Sequence, residues 1–291
     1  MKIHRPEADL DSLRDLAAPC RLCEHRCGVD RLAGELGRCG VGAQARYYNA
    51  FVHLGEEPEL TPCYTVFLSG CSFRCPYCSD ADWVVQPGRG RPLQPDVLAA
   101  TLAAKQGLRS VELVGGEATV SLHHAAELAV RVPRELPVVL NTNGWLTREA
   151  MALLPPLVDL LLLDVKHATD GCARELTGQP LTGYLDHLGE VLQAARRTLR
   201  RGCWVRHLVL PGHRDCCTGP VLRWLAAEAP GTYVNLLTQY RPLHEARRHP
   251  GIDRQLSREE KAGLPDWLRG LDLPLDLHLD GRPLGGATAR P

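Results

Sequence analysis

The stretch GCSFRCPYCSD (residues 70–80) decides the fold class, because it joins a short apolar strand to a loop that carries three cysteines. The residues before it, Thr65–Leu68, are β-branched, aromatic and aliphatic, as a buried strand requires. Cys71, Cys75 and Cys78 then follow in a C-x3-C-x2-C pattern. Thiolates are soft ligands that suit zinc or an iron–sulfur cluster, so this spacing predicts one metal centre.

Three local cysteines leave such a centre one ligand short. Closed zinc sites and ordinary four-iron clusters take four protein ligands. Either a distant residue completes a zinc knuckle, or the cysteines form a redox thiol set, or one iron of a [4Fe–4S] cluster stays open to a small molecule. We favour the open cluster because of the motifs at the neighbouring strand ends.

From about residue 64 onward, strand-like and helix-like segments alternate about six times. The predicted strands are Thr65–Leu68, Ser110–Val114, Pro137–Leu140, Val158–Leu163, Trp204–Leu210 and Tyr233–Leu237. The predicted helices between them are Asp96–Lys105, Leu122–Val130, Thr147–Leu154, Leu185–Leu199 and Val221–Glu228. Such alternation indicates parallel strands joined by crossover helices. We expect an α/β fold, a partial (β/α)6 barrel of the TIM type, with a flat doubly wound sheet as the alternative.

Polar or glycine-containing motifs follow every predicted strand. After the cysteine loop come Gly115-Gly116-Glu117, Asn141-Thr142-Asn143-Gly144, Asp164-Val165-Lys166, Pro211-Gly212-His213 and Thr238-Gln239-Tyr240. In parallel α/β folds the ligand site lies at the carboxyl ends of the strands. Each motif alone is typical of a turn, but six in succession predict one shared site.

Twelve cysteines are many for a chain of 291 residues. Residues 1–10 (MKIHRPEADL) lack the apolar stretch of a secretory signal, so we expect a cytoplasmic protein in which metal ligation explains cysteines better than disulfides. Four lie close together and predict either a structural zinc site or an auxiliary iron–sulfur cluster: Cys20, Cys23, Cys27 and Cys39. Five others are interpreted as small hydrophobes or surface thiols: Cys63, Cys172, Cys203, Cys216 and Cys217.

The composition argues against a nucleic-acid or membrane partner. The chain has 34 basic and 34 acidic residues, so its formal net charge is zero and no long-range field attracts anionic polymers or lipids. No apolar run approaches the roughly 18 residues that a membrane helix needs. We expect an N-terminal Cys-rich metal-binding segment (residues 1–63), the barrel (64–245), and a C-terminal helix with a tail (246–291).

The C-x3-C-x2-C spacing, with an aromatic residue before the last cysteine, resembles the signature of the radical S-adenosylmethionine (SAM) superfamily. The resemblance implies that Cys71, Cys75 and Cys78 hold a [4Fe–4S] cluster whose open iron binds the amino and carboxylate groups of SAM. Reduction then cleaves SAM to methionine and a 5′-deoxyadenosyl radical, which abstracts hydrogen from a substrate. It also implies a reductant such as flavodoxin or ferredoxin.

The resemblance assigns further SAM contacts in the first half of the barrel. Gly115, Gly116 and Glu117 resemble the GGE motif that contacts the methionine amino group. Glycine permits a close backbone approach, and Glu117 offers a carboxylate to an ammonium group. Asn141 is expected near the ribose or the carboxylate of SAM.

Three more residues complete the implied SAM pocket. Tyr77 is expected to lie against the adenine. Asp164 and Lys166 share one face of a strand, and their resemblance to residues of glycyl-radical activating enzymes implies that they touch SAM, with an ion pair inside the barrel as the alternative. No residue is assigned a catalytic role in hydrogen abstraction.

From Cys20 to about Glu260 the chain resembles the pyruvate formate-lyase-activating-enzyme-like branch of that superfamily. The resemblance is carried by CRLCEHRCGVDRLAGELGRCG (residues 20–40), GEEP (55–58), VRHLVLPGH (205–213) and NLLTQYRP (235–242). Ser79-Asp80 departs from the Gln-Asn pair that relatives commonly have, on the side of the loop that faces the substrate.

The resemblance implies an oxidoreductase or activating enzyme, with two kinds of substrate in competition. One is a glycine loop of a glycyl-radical enzyme, and the other is a peptide or small molecule held in a closed cavity. A non-catalytic iron–sulfur or zinc-binding protein is the alternative of another class. That alternative requires a fourth protein ligand and leaves the motifs after the second and fourth strands without an explanation.

Overall fold

The computed structural model describes residues 9–178 and 183–285, and the chain divides into two compact units. The described part of the first unit runs to Phe73 and continues over Asp80–Leu162 and Gln193–Gly202. The described part of the second unit is built from Arg74–Ser79 and from residues 163–178, 183–192 and 203–285. This division does not test the predicted segment bounds at residues 63 and 245, which stay predictions.

The strands of the described residues are β1 (Arg46–His53), β2 (Cys63–Leu68), β3 (Arg91–Pro92), β4 (Ser110–Gly115), β5 (Val138–Thr142), β6 (Leu160–Asp164), β7 (Cys203–Leu208), β8 (Tyr233–Leu237), β9 (Asp276–Leu279) and β10 (Arg282–Pro283). The α-helices are α1 (Leu10–Asp15), α2 (Ala81–Val85), α3 (Pro95–Ala103), α4 (Leu122–Ala129), α5 (Arg148–Ala152), α6 (Asp170–Thr177), α7 (Tyr184–Thr198), α8 (Gly219–Glu228) and α9 (Arg258–Gly270).

In the first unit the strands are arranged in the order β3, β1, β2, β4, β5 and β6. Strand β2 pairs parallel to β4, with Leu68 opposite Gly115, and β4 pairs parallel to β5. Strand β1 runs antiparallel to both β2 and β3. Parallel pairing brings the carboxyl ends of β2, β4 and β5 to one edge, where the predicted motifs follow them.

The second unit contains the end of β6, followed by β7, β8, β9 and β10 in spatial order. Strands β7, β8 and β9 are parallel, and β10 returns antiparallel to β9. Val165 N donates to Arg206 O at 3.0 Å, which ties the segment after β6 to β7. Leu160, Leu161, Leu162 and Leu163 of β6 are fully buried, as the continuous apolar run predicts.

The mixed α/β fold with parallel strands is confirmed, and each of the six predicted strands is present. Four strands were not predicted, among them the two-residue β3 (Arg91–Pro92). Strand β1 lies inside the predicted Cys-rich segment, and it has no fully buried residue, so its apolar pattern is weak. Strand β9, only four residues long, and β10 lie in the predicted C-terminal helix and tail. The last residues of that tail, 286–291, lie outside the described residues. So do residues 1–8, which belong to the segment expected to lack a secretory signal.

Helix starts follow the local sequence. Thr147 caps α5 by accepting a hydrogen bond from Ala150 N, and Thr169 caps α6 by accepting one from Cys172 N. Helix α9 begins with a capping box between Ser257 and Glu260. Across the described ranges, no helix combines the length and the apolar character that crossing a bilayer demands.

Candidate functional site

Gly115 and Gly116 lie against the end of β2. Gly115 has a φ of +125°, and a Cβ atom there would stand 2.1 Å from Leu68 O. A Cβ atom on Gly116 would stand 2.3 Å from Gly70 O. Gly116 N donates to Leu68 O at 2.9 Å and Glu117 N to Gly70 O at 3.0 Å. The two glycines are therefore required by the backbone contact that positions the residue before Cys71.

The carboxylate of Glu117 is buried and accepts four hydrogen bonds within the first unit. Its Oε1 atom accepts from Thr119 N at 3.0 Å and from the hydroxyls of Thr119 and Thr142, each at 2.8 Å. Its Oε2 atom accepts from Asn143 N at 2.7 Å. Burial raises the pKa of Glu117, although these hydrogen bonds oppose the shift. Glu117 thus joins the ends of β4 and β5, and its predicted contact with a methionine ammonium stays a prediction.

Asn143 is the residue of the β5 loop that contacts the cysteine motif in the first unit. Its Nδ2 atom lies 3.9 Å from Cys71 Sγ and donates to Ser72 Oγ at 2.9 Å. Its Oδ1 atom accepts from Trp145 N at 3.0 Å. Asn141, the residue predicted to contact SAM, instead donates to Glu112 Oε1 at 3.0 Å. The motif at this strand end was visible in the sequence, but which of its two asparagines approaches the cysteine was not.

The four N-terminal cysteines come together in the first unit. Burial raises the pKa of the Cys23 thiol to about 12, and the charges of Cys39, Cys20 and Cys27 raise it further. Arg38 N lies 3.5 Å from Cys27 Sγ, and a Cβ atom on Gly37 would stand 3.2 Å from the same sulfur. Four thiols near enough for their charges to act on one another are a donor set that suits a metal centre. Their assignment as metal ligands stays a prediction.

The segment that carries these cysteines is anchored near Cys71 and Glu117. His25 Nε2 lies 2.9 Å from Ser72 O, the carbonyl next to Cys71. Glu24 N donates to Trp145 O at 3.0 Å, in the loop that also holds Asn143. Arg31 is fully buried and donates from Nη1 to Val120 O at 2.5 Å. The Cys-rich segment therefore supports the loops after β2, β4 and β5.

In the second unit, Cys75 and Cys78 lie on the turn that ends the cysteine motif. The division between the units falls after Phe73, so Cys71 is described with the first unit. Cys78 N donates to Cys75 O at 3.1 Å, which closes the turn. Desolvation raises the pKa of Cys75 to about 12, and the charge of Lys166 opposes this shift. Cys75 is therefore close enough to Lys166, the cation predicted at the end of β6, for that charge to act on its thiol.

Asp164 and Lys166 form an ion pair beside Cys75. Lys166 Nζ donates to Asp164 Oδ2, and both side chains are mostly buried. Desolvation lowers the pKa of Lys166, but the charges of Asp164, Tyr77 and Cys75 outweigh it and raise that pKa well above the ordinary value. The ammonium group is thus held charged at the end of β6. An ion pair was the alternative that the sequence offered to a contact with SAM. The contact of both residues with SAM stays a prediction.

Tyr77 is buried in an apolar cluster of the second unit that also contains Leu176, Leu210, Tyr240, Ala246 and Ile252, with Cys75 packed against it. Its hydroxyl lies 3.3 Å from His167 Nε2, and its ring meets that of Tyr240 edge to face at 6.0 Å between centroids. This packing keeps water from one side of Cys75. The predicted adenine contact of Tyr77 is not tested by it.

Two residues that the sequence did not single out as SAM contacts hold the backbone around Lys166. Tyr184, the first residue of α7, accepts a hydrogen bond from Lys166 N at 3.4 Å. His207 Nδ1 lies 2.8 Å from Val165 O, and its Nε2 lies 3.0 Å from Thr218 Oγ1. A polar residue inside the predicted strand was the available signal for His207. Nothing local marked Tyr184, because only the fold brings it to β6.

The residues of the cysteine motif fit an iron–sulfur cluster by their chemistry. Three soft donors occur within eight consecutive residues, and Cys71 Sγ has an amide donor of the kind that tunes cluster sulfurs. Beside Cys75 lies a paired cation and anion that could meet the carboxylate and ammonium groups of an amino acid. The cysteine motif thus has the donor chemistry of a cluster, and the charged pair has the chemistry to meet a zwitterion.

Comparisons with known proteins agree on one family. The family model described as the Radical SAM superfamily matches residues 65–225, more than half of the chain. An uncharacterized protein of Methanocaldococcus jannaschii is 34% identical over 251 residues, which are 83% of this chain and 71% of that protein. The pyruvate formate-lyase-activating enzyme of Staphylococcus aureus is 25% identical over 166 residues, 52% of this chain and 63% of that enzyme.

A solved structure shares the fold. Streptococcus suis SuiB bound to precursor peptide SuiA is similar with a TM-score of 0.50 and 13% identity, over 72% of this chain and 46% of that chain. At this identity the likeness concerns the fold alone. The chain spans less than two thirds of the length of both SuiB and the activating enzyme.

Proposed function

Because the chain belongs to the radical SAM superfamily, whose members are enzymes, we propose that it cleaves SAM reductively and directs the product radical to a glycyl-radical enzyme. The radical SAM fold binds a [4Fe–4S] cluster and SAM. When bound, these groups supply the electron transfer and sulfonium cleavage that yield the 5′-deoxyadenosyl radical. The observation that carries the proposal is the Asp164–Lys166 ion pair beside Cys75 in the second unit.

In this proposal, Cys71, Cys75 and Cys78 hold the cluster, and the charged pair binds SAM. Lys166 is kept protonated by Asp164, so it offers a fixed positive charge to the methionine carboxylate. Asp164 offers the opposite charge to the methionine ammonium group. The apolar cluster around Tyr77 excludes water from Cys75, which protects a reactive intermediate.

The first unit supports the same function through the loop after β5. Asn143 donates toward Cys71 Sγ, and Glu117 holds Asn143 through its backbone N–H. Gly115, Gly116 and Asn141 stand at the same strand ends, where we propose that the backbone and amide groups approach SAM. In that role Glu117 positions this loop in addition to any contact with the ligand.

The proposed substrate rests on the activating enzyme among the relatives. Its name states that it activates pyruvate formate-lyase, and we propose that this chain activates a partner enzyme in the same way. A low-potential electron carrier, flavodoxin or ferredoxin, is the proposed reductant. A cytoplasmic location belongs to the proposal, because such carriers and reduced thiols occur there.

The first test is SAM cleavage by the full chain. After anaerobic reconstitution with iron and sulfide, SAM and dithionite are added, and 5′-deoxyadenosine is measured by chromatography and mass spectrometry. We expect product from the wild type, none above background from Cys75→Ala, and normal production from Cys203→Ser, which removes a buried cysteine on β7. If the loaded wild-type protein never forms 5′-deoxyadenosine, the proposed chemistry is wrong.

A second measurement distinguishes the substrates. A peptide that contains glycine with deuterium on its α-carbon is supplied as a probe of a glycine loop. Deuterium that appears in 5′-deoxyadenosine, together with a glycyl radical in the electron paramagnetic resonance spectrum, supports activation. SAM cleavage without deuterium transfer would direct the search to other peptides or to small molecules.

A further inference from the structure

Four metal-ligating side chains of the second unit converge away from the cysteine motif: Cys172, His213, Cys216 and Cys217. Their three sulfur atoms and one imidazole nitrogen all lie within 4.8 Å of one another. His213 Nδ1 lies 3.4 Å from Cys216 Sγ and 3.8 Å from Cys217 Sγ. The sequence interpretation of these three cysteines as small hydrophobes or surface thiols does not explain this convergence.

The chain builds this cluster from two helix starts. Cys172 lies in the first turn of α6, where its N–H donates to Thr169 Oγ1 at 3.1 Å. Cys216 and Cys217 lie on a π-helical turn, residues 214–218, directly before α8, and His213 is the N-cap of that turn. His213 O accepts from Cys217 N at 2.9 Å and from Thr218 N at 3.2 Å, which sets the wide turn. Single π turns occur frequently at functional sites.

Hydrogen bonds to His213 do not by themselves account for the arrangement. An imidazole nitrogen that accepts a hydrogen bond has one lone pair, so Nδ1 of His213 can accept from only one thiol. Both Cys216 Sγ and Cys217 Sγ lie within reach of it. A single cation would satisfy both sulfur atoms and the nitrogen at once.

The distances fit a single tetrahedral ion such as zinc. A tetrahedral zinc ion, with bonds of about 2.3 Å to sulfur and about 2.0 Å to nitrogen, places its ligand atoms roughly 3.5–3.8 Å apart. The two measured separations from Nδ1 agree with this value, and the 4.8 Å limit requires only small side-chain rotations. An iron–sulfur cluster would hold its ligands on separate iron atoms, farther apart.

We propose that Cys172, His213, Cys216 and Cys217 form a closed Cys3His site for one zinc ion. The site joins the start of α6 to the turn before α8. Cys217 is buried and Cys216 is exposed, so the ion can enter from solvent. The three thiols release their protons on binding. This inference does not depend on the proposed reaction with SAM.

The position of α6 gives the site a structural role. At the far end of this helix, Thr177 O accepts a hydrogen bond from Arg74 N at 2.8 Å, next to Cys75. Gly178 follows with a φ of +68°, and a Cβ atom there would stand 2.8 Å from Arg74 O. A zinc ion that fixes the start of α6 therefore also stabilises the turn that carries Cys75.

The test measures zinc in the full chain, purified without oxygen, by inductively coupled plasma mass spectrometry. We expect the double variant Cys172→Ser/Cys217→Ser to hold one zinc equivalent fewer than the wild type. The matched control Cys63→Ser/Cys203→Ser removes two buried cysteines outside the cluster and should keep that equivalent. Comparison with the wild type cancels any zinc at the N-terminal cysteines.

Two further measurements do not depend on the double variant folding. Exchange of zinc for cobalt in the wild type should give thiolate-to-cobalt charge-transfer bands and intense tetrahedral bands. His213→Ala, at a partly exposed position, should keep its far-ultraviolet circular dichroism and bind zinc at least roughly tenfold more weakly in competition with a chelator. Equal zinc in the wild type and the double variant, unaltered affinity in His213→Ala, or a Cys172–Cys217 disulfide in the anaerobically isolated wild type would overturn the proposal.

Discussion

At the scale of single residues, two polar side chains organise the loop beside Cys71. Glu117 accepts four hydrogen bonds in a buried place, and Asn143 links Ser72 and Cys71 to the backbone of Trp145. A buried carboxylate is costly unless its oxygens are satisfied, so the donors around Glu117 are part of the stability of the fold. The amide of Asn143 has a more local effect, because its N–H lies near Cys71 Sγ and changes the electron density on that sulfur.

Replacing Glu117 should destabilise the fold as well as change any binding of SAM. Glu117→Gln presents an NH₂ group to donors that need an acceptor, and we expect the free energy of unfolding to fall by about 2–3 kcal/mol. Urea denaturation measures this loss. Glu135→Gln, at an exposed position, is the control and should change it little. Unchanged stability in Glu117→Gln would mean that the four hydrogen bonds carry little net energy.

Removing the amide of Asn143 should lower the reduction potential of the cluster. An N–H group near a ligand sulfur favours the more negative, reduced state, and a weak hydrogen bond of ~0.5–1 kcal/mol corresponds to about 20–40 mV for one electron. A redox titration of Asn143→Ala, followed by electron paramagnetic resonance, measures the shift. Asn49→Ala, on exposed β1, should leave the potential unchanged. Equal potentials in the two variants would contradict a role for the 3.9 Å contact.

At the scale of elements, the sequence predicts the buried strands well and the exposed ones poorly. A continuous apolar run such as Leu160–Leu163 is stable only when it is buried on both faces, so it predicts a buried strand. Strand β1 alternates between partly and fully exposed residues, and β9 is too short to show a period. Both are formed by pairing with strands that lie elsewhere in the sequence.

The capping box of α9 should make stability depend on pH in the acid range. Glu260 accepts from Ser257 N at 2.7 Å and from Gly212 N at 3.0 Å, and it pairs with Arg254. The Arg254 hydrogen bond lowers the pKa of Glu260 from 4.5 to about 2. A carboxyl group with a lowered folded-state pKa stabilises the fold above its unfolded pKa, and this contribution is lost as the pH falls through the folded one.

Glu260→Gln should therefore cost about 1 kcal/mol or less at neutral pH, since the group is near the surface. The difference from the wild type should shrink as the pH falls from 4.5 towards about 2. Urea denaturation at several pH values measures it. Asp266→Asn removes an exposed ion pair with Arg269 on the same helix and should cost less. A difference that stays constant with pH would exclude the carboxylate as its cause.

At the scale of the whole molecule, local spacing predicted the metal chemistry only where ligands are close in sequence. The C-x3-C-x2-C motif and the four N-terminal cysteines are both compact along the chain. Cys172 and His213 are separated by α7 and β7, so no local pattern joins them. The same limit applies to Tyr184 beside Lys166. No local pattern identifies the substrate either, because one family fold accommodates many reactions.

The N-terminal cysteines should contribute metal independently of the cysteine motif. A variant in which Cys71, Cys75 and Cys78 are all alanine should still hold metal, because the thiols of Cys20, Cys27 and Cys39 are near enough to Cys23 for their charges to raise its pKa. Metal analysis should find either residual iron with sulfide or zinc beyond one equivalent. Adding Cys20→Ser and Cys23→Ser should remove this metal and lower the melting temperature. If the variant with all five substitutions holds as much metal as the variant with three, these thiols are not ligands.

The contact between β2 and β4 also constrains the gene that encodes the chain. Every glycine codon begins with the same two nucleotides, and changing either of them gives a residue with a Cβ atom or a stop. At Gly115 that atom would stand 2.1 Å from Leu68 O. Only the third nucleotide of this codon can therefore mutate without disturbing the pairing of β2 with β4. At Gly107, φ is also positive but a Cβ atom would meet nothing within 4 Å, so a missense change there should destabilise the fold less.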